Sequence, residues 1–161
     1  MNIEVLVADY SNAVHANDIV ELLDAYTRDP TGGGNPLSEH ARKSLVAELA
    51  KLPNAFSVMC YVDGVAAGLV NCFIGFSTFQ CKPLVNIHDV MVAQRFRGQG
   101  LSRRLLNEVQ RVAIERDCCR LTLEVLDHNE PAKKAYLSFG FQAQQAEGKY
   151  LFWKKATQIS P

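Results

Sequence analysis

The chain has 161 residues, of which 48% are hydrophobic and 21% are charged; this is the balance of a globular protein with a core of its own. The formal net charge is zero, so no global field favours binding to nucleic acid or to a membrane. The N-terminal residues lack a basic segment followed by an apolar run, and no stretch reaches the roughly 20 apolar residues of a membrane span. We therefore expect one domain over residues 1–161, in the cytoplasm, with neither nucleic-acid nor membrane partners.

The five cysteines do not form a disulfide or metal pattern. They stand at 60, 72, 81, 118 and 119, an odd number without a C-x-x-C pair, and this favours free thiols in a reducing compartment. The four histidines show no ligand spacing with them, so we expect no metal site. The adjacent pair Cys118-Cys119 leaves a redox or metal element open as the less favoured interpretation.

A strand and a helix followed by a glycine-rich loop are predicted first. Residues 3–8 favour a strand. Residues 12–27 favour a helix because apolar side chains recur at helical spacing: Ile19, Leu22, Leu23 and Tyr26. Residues 31–36 (TGGGNP) contain three glycines, which a helix does not hold cheaply, so they form a loop. This loop is either a flexible linker or a mobile lip over a binding site.

A second helix and a β-hairpin follow. Ser38 is a suitable cap for a helix that ends near residue 52, with three leucines on one side: Leu45, Leu49 and Leu52. Residues 55–62 and 65–77 are predicted strands joined by Asp63-Gly64, a two-residue hairpin signal. Gly75 marks a candidate bulge in the second of these strands.

The stretch NIHDVMVAQRFRGQGLS, residues 86–102, passes from a strand over 84–92 through a glycine turn into a helix. At a helix N-terminus the free N–H groups and the positive end of the dipole both favour an anion. Gly98 and Gly100 remove side chains where the backbone must approach a ligand. Positive charge surrounds the turn at Arg95, Arg97, Arg103 and Arg104. The sequence therefore predicts a phosphate site here.

The last part of the chain predicts a helix, a strand, a short helix and a hairpin. The helix over about 100–116 has one apolar stripe: Leu101, Leu105, Leu106, Val109, Val112 and Ala113. Residues 120–126 alternate as a strand does. Asn129 is the cap of a short helix that ends at Gly140. Residues 141–154 are predicted to close the fold as a hairpin around Glu147-Gly148.

Two of these stretches resemble signatures of the GNAT superfamily of N-acetyltransferases. Arg95-x-x-Gly98-x-Gly100 is similar to its pyrophosphate-binding signature. The run from Asn129 to Tyr136, followed by Phe139-Gly140-Phe141, is similar to its second motif, where an asparagine opens a helix carrying a tyrosine. The resemblance implies the GNAT fold, in the α/β (α+β) class. That fold has a mixed, mostly antiparallel central sheet, helices on both faces, and strands 84–92 and 120–126 splayed around the ligand.

The same resemblance implies a reaction and a cofactor site. The reaction is transfer of an acetyl group from acetyl-CoA to a primary amine by direct attack in a ternary complex, without a metal. The pyrophosphate would bind the turn formed by Arg97, Gly98, Gln99, Gly100, Leu101 and Ser102. Backbone groups of Val90, Met91 and Val92 would hold the thioester. Asn129, Lys133 and Tyr136 of the second motif would complete the cofactor site, although capping alone explains Asn129.

The resemblance also implies candidate catalytic residues. Tyr136 is the candidate general acid, because a phenol with a pKa near ~10 carries its proton at neutral pH; from spacing alone, it belongs to a core stripe. His88 and Asp89 are candidates for receiving the amine and its proton. Strand alternation places His88 on the side of Val90 and Val92, with Asp89 opposite unless a bulge intervenes. A buried histidine satisfied by one hydrogen bond, a base role for Glu124, and deprotonation through water all stay open.

The acceptor is the part that no motif identifies. A small-molecule amine is favoured over a protein or peptide amine. A module that senses acyl-CoA without turnover is an alternative from another class. A dinucleotide-binding domain is disfavoured, since G-x-G-x-x-G does not follow a first strand. Because this family often dimerises through its last strands, we expect a homodimer that uses the aromatic residues there: Phe141, Tyr150, Phe152 and Trp153.

Overall fold

The fold is known from a computed structural model, which describes residues 1–29, 32–143 and 153–157. In chain order the elements are β1 (Ile3–Val7), α1 (Ala13–Arg28), α2 (Glu39–Ala50), β2 (Ala55–Val62), β3 (Val65–Ser77), β4 (Lys82–Val92), α3 (Leu101–Glu115), β5 (Leu121–Leu123) and α4 (Glu130–Phe139). The strands form one sheet in the order β1-β2-β3-β4-β5. Pairing is antiparallel except between β4 and β5, which confirms the mixed, mostly antiparallel sheet.

Helices cover both faces of this sheet, as expected. The predicted stripe of α3 is buried in full against one face, together with Val58, Val70 and Ile87. On the other face Ile19 and Leu22 of α1 and Val46 of α2 pack against Leu69 and other sheet residues. Gly68 lets α3 approach closely, since a Cβ there would lie 2.8 Å from Leu105 Cδ1. The alternation of strand side chains thus produces a three-layer arrangement.

Local turn and cap chemistry follows the sequence. β2 and β3 are joined at Asp63 and Gly64, with φ of 48° and 78°, the positive values that a tight hairpin turn needs. Asn12, Ser38 and Asn129 each accept hydrogen bonds from the first turns of α1, α2 and α4. α2 differs in one respect from its prediction. Leu52 lies beyond the end of the helix and is 44% exposed, while Val46 takes the buried position.

A β-bulge lies in β4 rather than at Gly75. Gly75 pairs in regular register with Leu84, whereas Asn71 pairs with Asp89 and Cys72 pairs with Ile87. His88 is therefore an extra residue on β4, and it shifts the alternation by one position. The position of this bulge determines which side chains share a face of the sheet with Asp89.

The bulge corrects the predicted orientation of His88. Its ring makes an edge contact with Phe73, with centroids 5.7 Å apart, and Asp89 accepts a hydrogen bond from the side chain of Asn71. Both residues therefore lie on the face that α1 covers. Val90 and Val92 pack instead with the α3 side of the core. The expectation that His88 shares a side with the two valines is wrong, because the extra residue reverses the alternation between them.

β4 and β5 separate, as the resemblance implies. Their parallel pairing runs only from Val85 opposite Leu121 to Ile87 opposite Leu123, and β4 then continues to Val92. β5 is shorter than the predicted strand over 120–126, because the diverging strand β4 no longer offers residues 124–126 a ladder partner. The gap opens beside the end of β4, next to the glycine turn.

The C-terminal segment is described in part. The predicted hairpin over 141–154 lies largely outside the described residues, as do Tyr150 and Phe152. All five cysteines carry free thiols. Within the described residues, no group of three or more His, Cys, Asp or Glu side chains is arranged to hold a metal. In the same part of the chain, none of the helices has the length and apolar character needed to cross a membrane.

Candidate functional site

The turn between β4 and α3 has the backbone of an anion site. Gly98 and Gly100 adopt φ of 78° and 74°, values that favour glycine. A Cβ added at either position would meet nothing within 4 Å, so a side chain there would enter open space beside the turn. Space at these positions is what a bound group needs in order to approach the backbone.

Successive N–H groups of this turn are available to a ligand. Among the described residues, no atom accepts a hydrogen bond from the backbone N–H of any residue from Gly98 to Arg103. The first paired N–H is that of Arg104, which donates to the Gly100 carbonyl at 3.4 Å. Unpaired N–H groups at a helix N-terminus, with the helix dipole behind them, are well suited to a phosphate group.

The arginine side chains play a different part from the backbone. Arg97 donates through Nε to the Val92 carbonyl and through a terminal nitrogen to Asp29 Oδ2, both at 3.0 Å. The Arg95 guanidinium lies 4.7 Å from the centre of the Phe96 ring. Arg97 therefore holds the glycine turn against the end of β4 and the C-terminal end of α1, while the backbone remains free for an anion.

Tyr136 packs as a core residue and keeps its hydroxyl outside the core. Its ring makes an edge contact with Phe141, with centroids 5.8 Å apart, and it packs against the α3-side cluster. The hydroxyl has no hydrogen-bond partner among the described residues. No unpaired side-chain oxygen in that part of the chain is fully buried, so the Tyr136 oxygen keeps some contact with solvent. The two interpretations of Tyr136 are therefore compatible, one for its ring and one for its hydroxyl.

Burial raises the pKa of Tyr136 to about 12, and the nearby Tyr26 phenol adds to the shift. A phenol with a raised pKa holds its proton more firmly, because burial penalises the phenolate. Tyr136 is therefore fully protonated at neutral pH, as a proton donor must be.

Tyr26 belongs to the same region, and sequence reasoning missed it. Helical spacing assigns it to the apolar stripe of α1, although it is only partly buried there. Its pKa is raised first by burial and then by the negative charges of Asp89 and Asp29. These electrostatic interactions indicate that the Tyr26 phenol lies near Asp89 of β4 and near Tyr136 of α4. The only sequence signal for Tyr26 was a phenol in the last turn before the glycine loop.

Asp89 is a carboxylate with a neutral partner. It is partly buried, and Asn71 Nδ2 donates to its Oδ2 at 3.0 Å. No cationic side chain forms a salt bridge with Asp89 within the described residues.

His88 beside it is exposed, so the interpretation of His88 as a buried, satisfied histidine is wrong. Glu124 is also exposed and lies just beyond the end of β5.

The remaining predicted contacts lie on α4. Asn129 accepts a hydrogen bond from the Ala132 N–H at 3.3 Å, which is the cap expected for it. Lys133 Nζ donates to the Asp127 carbonyl and to Glu130 Oε1, both at 2.9 Å. Lys133 thus holds the start of α4 together, and Asn129 caps it.

The glycine loop is anchored beside the site. The Leu37 N–H donates to the buried Asp24 at 2.8 Å, and Asp29 at the other end binds Arg97. Gly32 lies against the last turn of α1, where an added Cβ would be 2.0 Å from the Tyr26 carbonyl oxygen. Its anchoring next to Tyr26 and the glycine turn favours the interpretation of the loop as a lip of the site.

Comparisons with known proteins identify the family of this chain. The model of the acetyltransferase (GNAT) family matches residues 18–141. A thialysine N-epsilon-acetyltransferase of Bos taurus is 28% identical over 152 residues, covering 94% of this chain and 84% of the relative. An aminoglycoside N(6')-acetyltransferase type 1 of Salmonella typhimurium is 22% identical over 111 residues, covering 67% of this chain and 74% of the relative.

A solved structure supports the same fold. The structure of AAC(6')-Iy in complex with the bisubstrate analogue CoA-S-monomethyl-acetylneamine superposes with a TM-score of 0.76 at 21% identity, covering 97% of this chain and 99% of that one. The family model spans both the glycine turn and the Asn129–Tyr136 segment, so it includes the two motifs on which the resemblance was based. The chain therefore belongs to the GNAT family of acetyltransferases.

Proposed function

We propose that this N-acetyltransferase acetylates the primary amine of a small molecule by direct attack on acetyl-CoA in a ternary complex. The observation that carries the proposal is the glycine turn with its unpaired N–H groups, placed next to splayed strands and a protonated, partly buried phenol. Family membership supports acetyl-CoA as the co-substrate. The acceptor and the roles of individual residues are the proposed part.

The turn and the end of β4 would hold the cofactor. The backbone from Arg97 to Ser102 would bind the pyrophosphate. Beyond Ile87, β4 has no ladder with β5, so its edge is available for the amides of the pantetheine arm. Because the Val92 carbonyl already accepts a hydrogen bond from Arg97, Val90 and Met91 would make most of the contacts to the thioester. A backbone N–H on this edge would stabilise the oxyanion of the tetrahedral intermediate.

The reaction needs three proton transfers. The acceptor arrives as an ammonium group beside Asp89 and loses a proton to His88 or to water. The neutral nitrogen then attacks the thioester carbon, which gives a tetrahedral intermediate whose nitrogen carries an extra proton. That proton passes to His88 or to water, and the carbon–sulfur bond breaks as the amide forms. Tyr136 donates its proton to the departing thiolate and is reprotonated by solvent. These steps account for each of the three proposed catalytic residues.

A panel of amines tests the function and identifies the acceptor. Since the bovine relative is named for thialysine and the Salmonella relative for aminoglycosides, these compounds come first, followed by lysine, diamines and peptides. Release of CoA that depends on one of these amines would support the proposal. Acetyl-CoA binding without turnover of any amine would favour the sensing module instead.

Cofactor binding is expected to stabilise the protein. A ligand that binds only the native state adds RT ln(1 + [L]/Kd), about 2.7 kcal/mol at a hundredfold excess over Kd. Acetyl-CoA should therefore raise the melting temperature, and NAD should leave it unchanged. A rise with NAD and none with acetyl-CoA would contradict the assignment of the glycine turn.

We also expect a homodimer. Trp153 is 83% exposed, and a large exposed aromatic ring is common at interfaces between subunits. Phe141 does not add to that surface, because it packs against the core. Light scattering at micromolar concentration should give twice the mass of the 17.9 kDa chain. The mass of a single chain would refute the dimer.

A further inference from the structure

A network of side-chain hydrogen bonds runs across the face of the sheet that α1 covers and ends at Asp89, where the acceptor amine is proposed to bind. The Tyr10 hydroxyl lies 2.9 Å from Ser57 Oγ, which lies 2.7 Å from Asn71 Oδ1. Asn71 Nδ2 in turn donates to Asp89 at 3.0 Å. Ser57 and Asn71 are 0% and 4% exposed. The network therefore connects the segment before α1 to Asp89 across β2, β3 and β4.

The negative charge of Asp89 gives this network one direction. An ionised carboxylate only accepts hydrogen bonds, so the amide nitrogen of Asn71 must face it. The amide oxygen then faces Ser57 and accepts its hydroxyl proton, which leaves the Ser57 oxygen to accept the proton of Tyr10. An amide does not pass a proton onward in this arrangement. The hydrogen-bond network consequently orients Asp89 and does not carry protons to it.

The position of these polar groups is unusual for this face. Their neighbours on the α1 side of the sheet are apolar, including Met59, Leu69 and Met91. Burying a hydroxyl and an amide there is costly unless each is paired, and here each is. The network ends at Asp89, the one member with a charge. A satisfied buried network of this kind fixes the geometry of its members, so its last link fixes the carboxylate.

We propose that Asn71 is a positioning residue of the acceptor site, holding the Asp89 carboxylate in the orientation that receives an ammonium group. The inference rests on the proposed function, because it places the acceptor amine at Asp89. Asp89 has only a neutral hydrogen-bond partner in the described part of the chain, so a cation from the substrate complements it. The acceptor class is therefore an aliphatic amine, which is protonated in solution, rather than an arylamine, which is not.

The test is a double-mutant cycle on Asn71 and Asp89. The variants are Asn71→Leu, Asp89→Asn and the double variant, assayed with thialysine or the panel amine of highest kcat/KM, at saturating acetyl-CoA. Asn71→Leu is expected to raise the KM for the amine about tenfold, since hydrogen bonds to charged groups are the stronger ones, and to leave the KM for acetyl-CoA unchanged. In the Asp89→Asn background the same substitution should add no further increase.

Controls separate positioning from a loss of packing. Cys60→Ala perturbs a fully buried side chain on the opposite face of β2 and should leave the KM for the amine unchanged. Tyr10→Phe keeps the Asn71–Asp89 contact and should raise this KM less than Asn71→Leu. Melting temperatures are measured for all variants, and Asn71→Ala replaces Asn71→Leu if the latter does not fold.

Each outcome supports or overturns the inference. Additive effects of the two substitutions, or an equal loss of acetyl-CoA affinity in Asn71→Leu, would show that Asn71 acts only through stability. Arylamines turned over as well as aliphatic amines would overturn the acceptor class. If the unaltered protein acetylates no amine, the proposed function itself fails. If it acetylates an amine normally but the effects of the Asn71 and Asp89 substitutions are additive, only the positioning role of Asn71 is refuted.

Discussion

Tyr136→Phe is expected to lower kcat about a hundredfold, because positioned acid catalysis contributes 10²–10⁴-fold. The substitution removes a proton donor and little volume. The ring keeps its packing against Phe141 and the core, and the hydroxyl has no described partner to lose. Folding and acetyl-CoA affinity should therefore barely change. The measurements are kcat with an accepted amine, melting temperature, and the Kd for acetyl-CoA.

Tyr61→Phe is the matched control for this experiment. Tyr61 is buried, and its hydroxyl donates to Asp18 at 3.0 Å, so the loss of this hydroxyl should lower stability without affecting kcat. Tyr136→Phe should therefore lower kcat and leave stability nearly unchanged, whereas Tyr61→Phe should lower stability and leave kcat unchanged. Equal kcat in Tyr136→Phe and the unaltered protein would remove Tyr136 from the mechanism. The thiolate would then be protonated by water or would leave unprotonated.

Gly98→Asp should weaken CoA binding by at least about tenfold, because a side chain and a negative charge would occupy the space in which the pyrophosphate is expected. Nothing lies within 4 Å of a Cβ at this position, so the first atom of the new side chain meets no other part of the described protein. The Kd for CoA, measured by calorimetry on folded protein, checks the result.

Gly64→Asp controls for the backbone strain of this change. Gly64 has the same φ of 78° and the same open space around a Cβ, but it lies in the hairpin turn between β2 and β3. Its CoA affinity should be unaffected, while its stability falls by an amount similar to that of Gly98→Asp. Gly98→Ala gives the effect of a methyl group without charge. Unchanged CoA affinity in folded Gly98→Asp would remove the glycine turn from the cofactor site.

The glycine turn and α4 show how much local sequence can specify. Gly98 and Gly100 adopt the positive φ values for which glycine is suited, and Asn129 caps α4 as predicted. The stripe of α3 is buried residue for residue. These features depend on neighbours within a few positions along the chain, where periodicity and side-chain chemistry act directly.

Asp89 and Tyr26 are residues whose surroundings local sequence does not specify. The face on which Asp89 lies depends on a bulge at His88, which arises from the register between two strands. Tyr26 looked like any member of an apolar stripe, since helical spacing does not distinguish a phenol that packs from one that reaches a site. Asn71 gave no signal at all, because its partners stand 14 and 18 positions away along the chain.

The sequence by itself determined the family, the sheet and helix order up to α4, the glycine turn before α3 and the candidacy of Tyr136. Each of these features depends on short motifs, caps and periodicity, which involve residues close to one another in sequence. Only the tertiary structure decided which side chains share a face of the sheet with Asp89. The extra residue in β4 shifts the alternation by one position, and a shift of one reverses the face of every following side chain. That reversal, together with the buried link from Asn71, places Asp89 on the face that α1 covers, near the Tyr26 phenol.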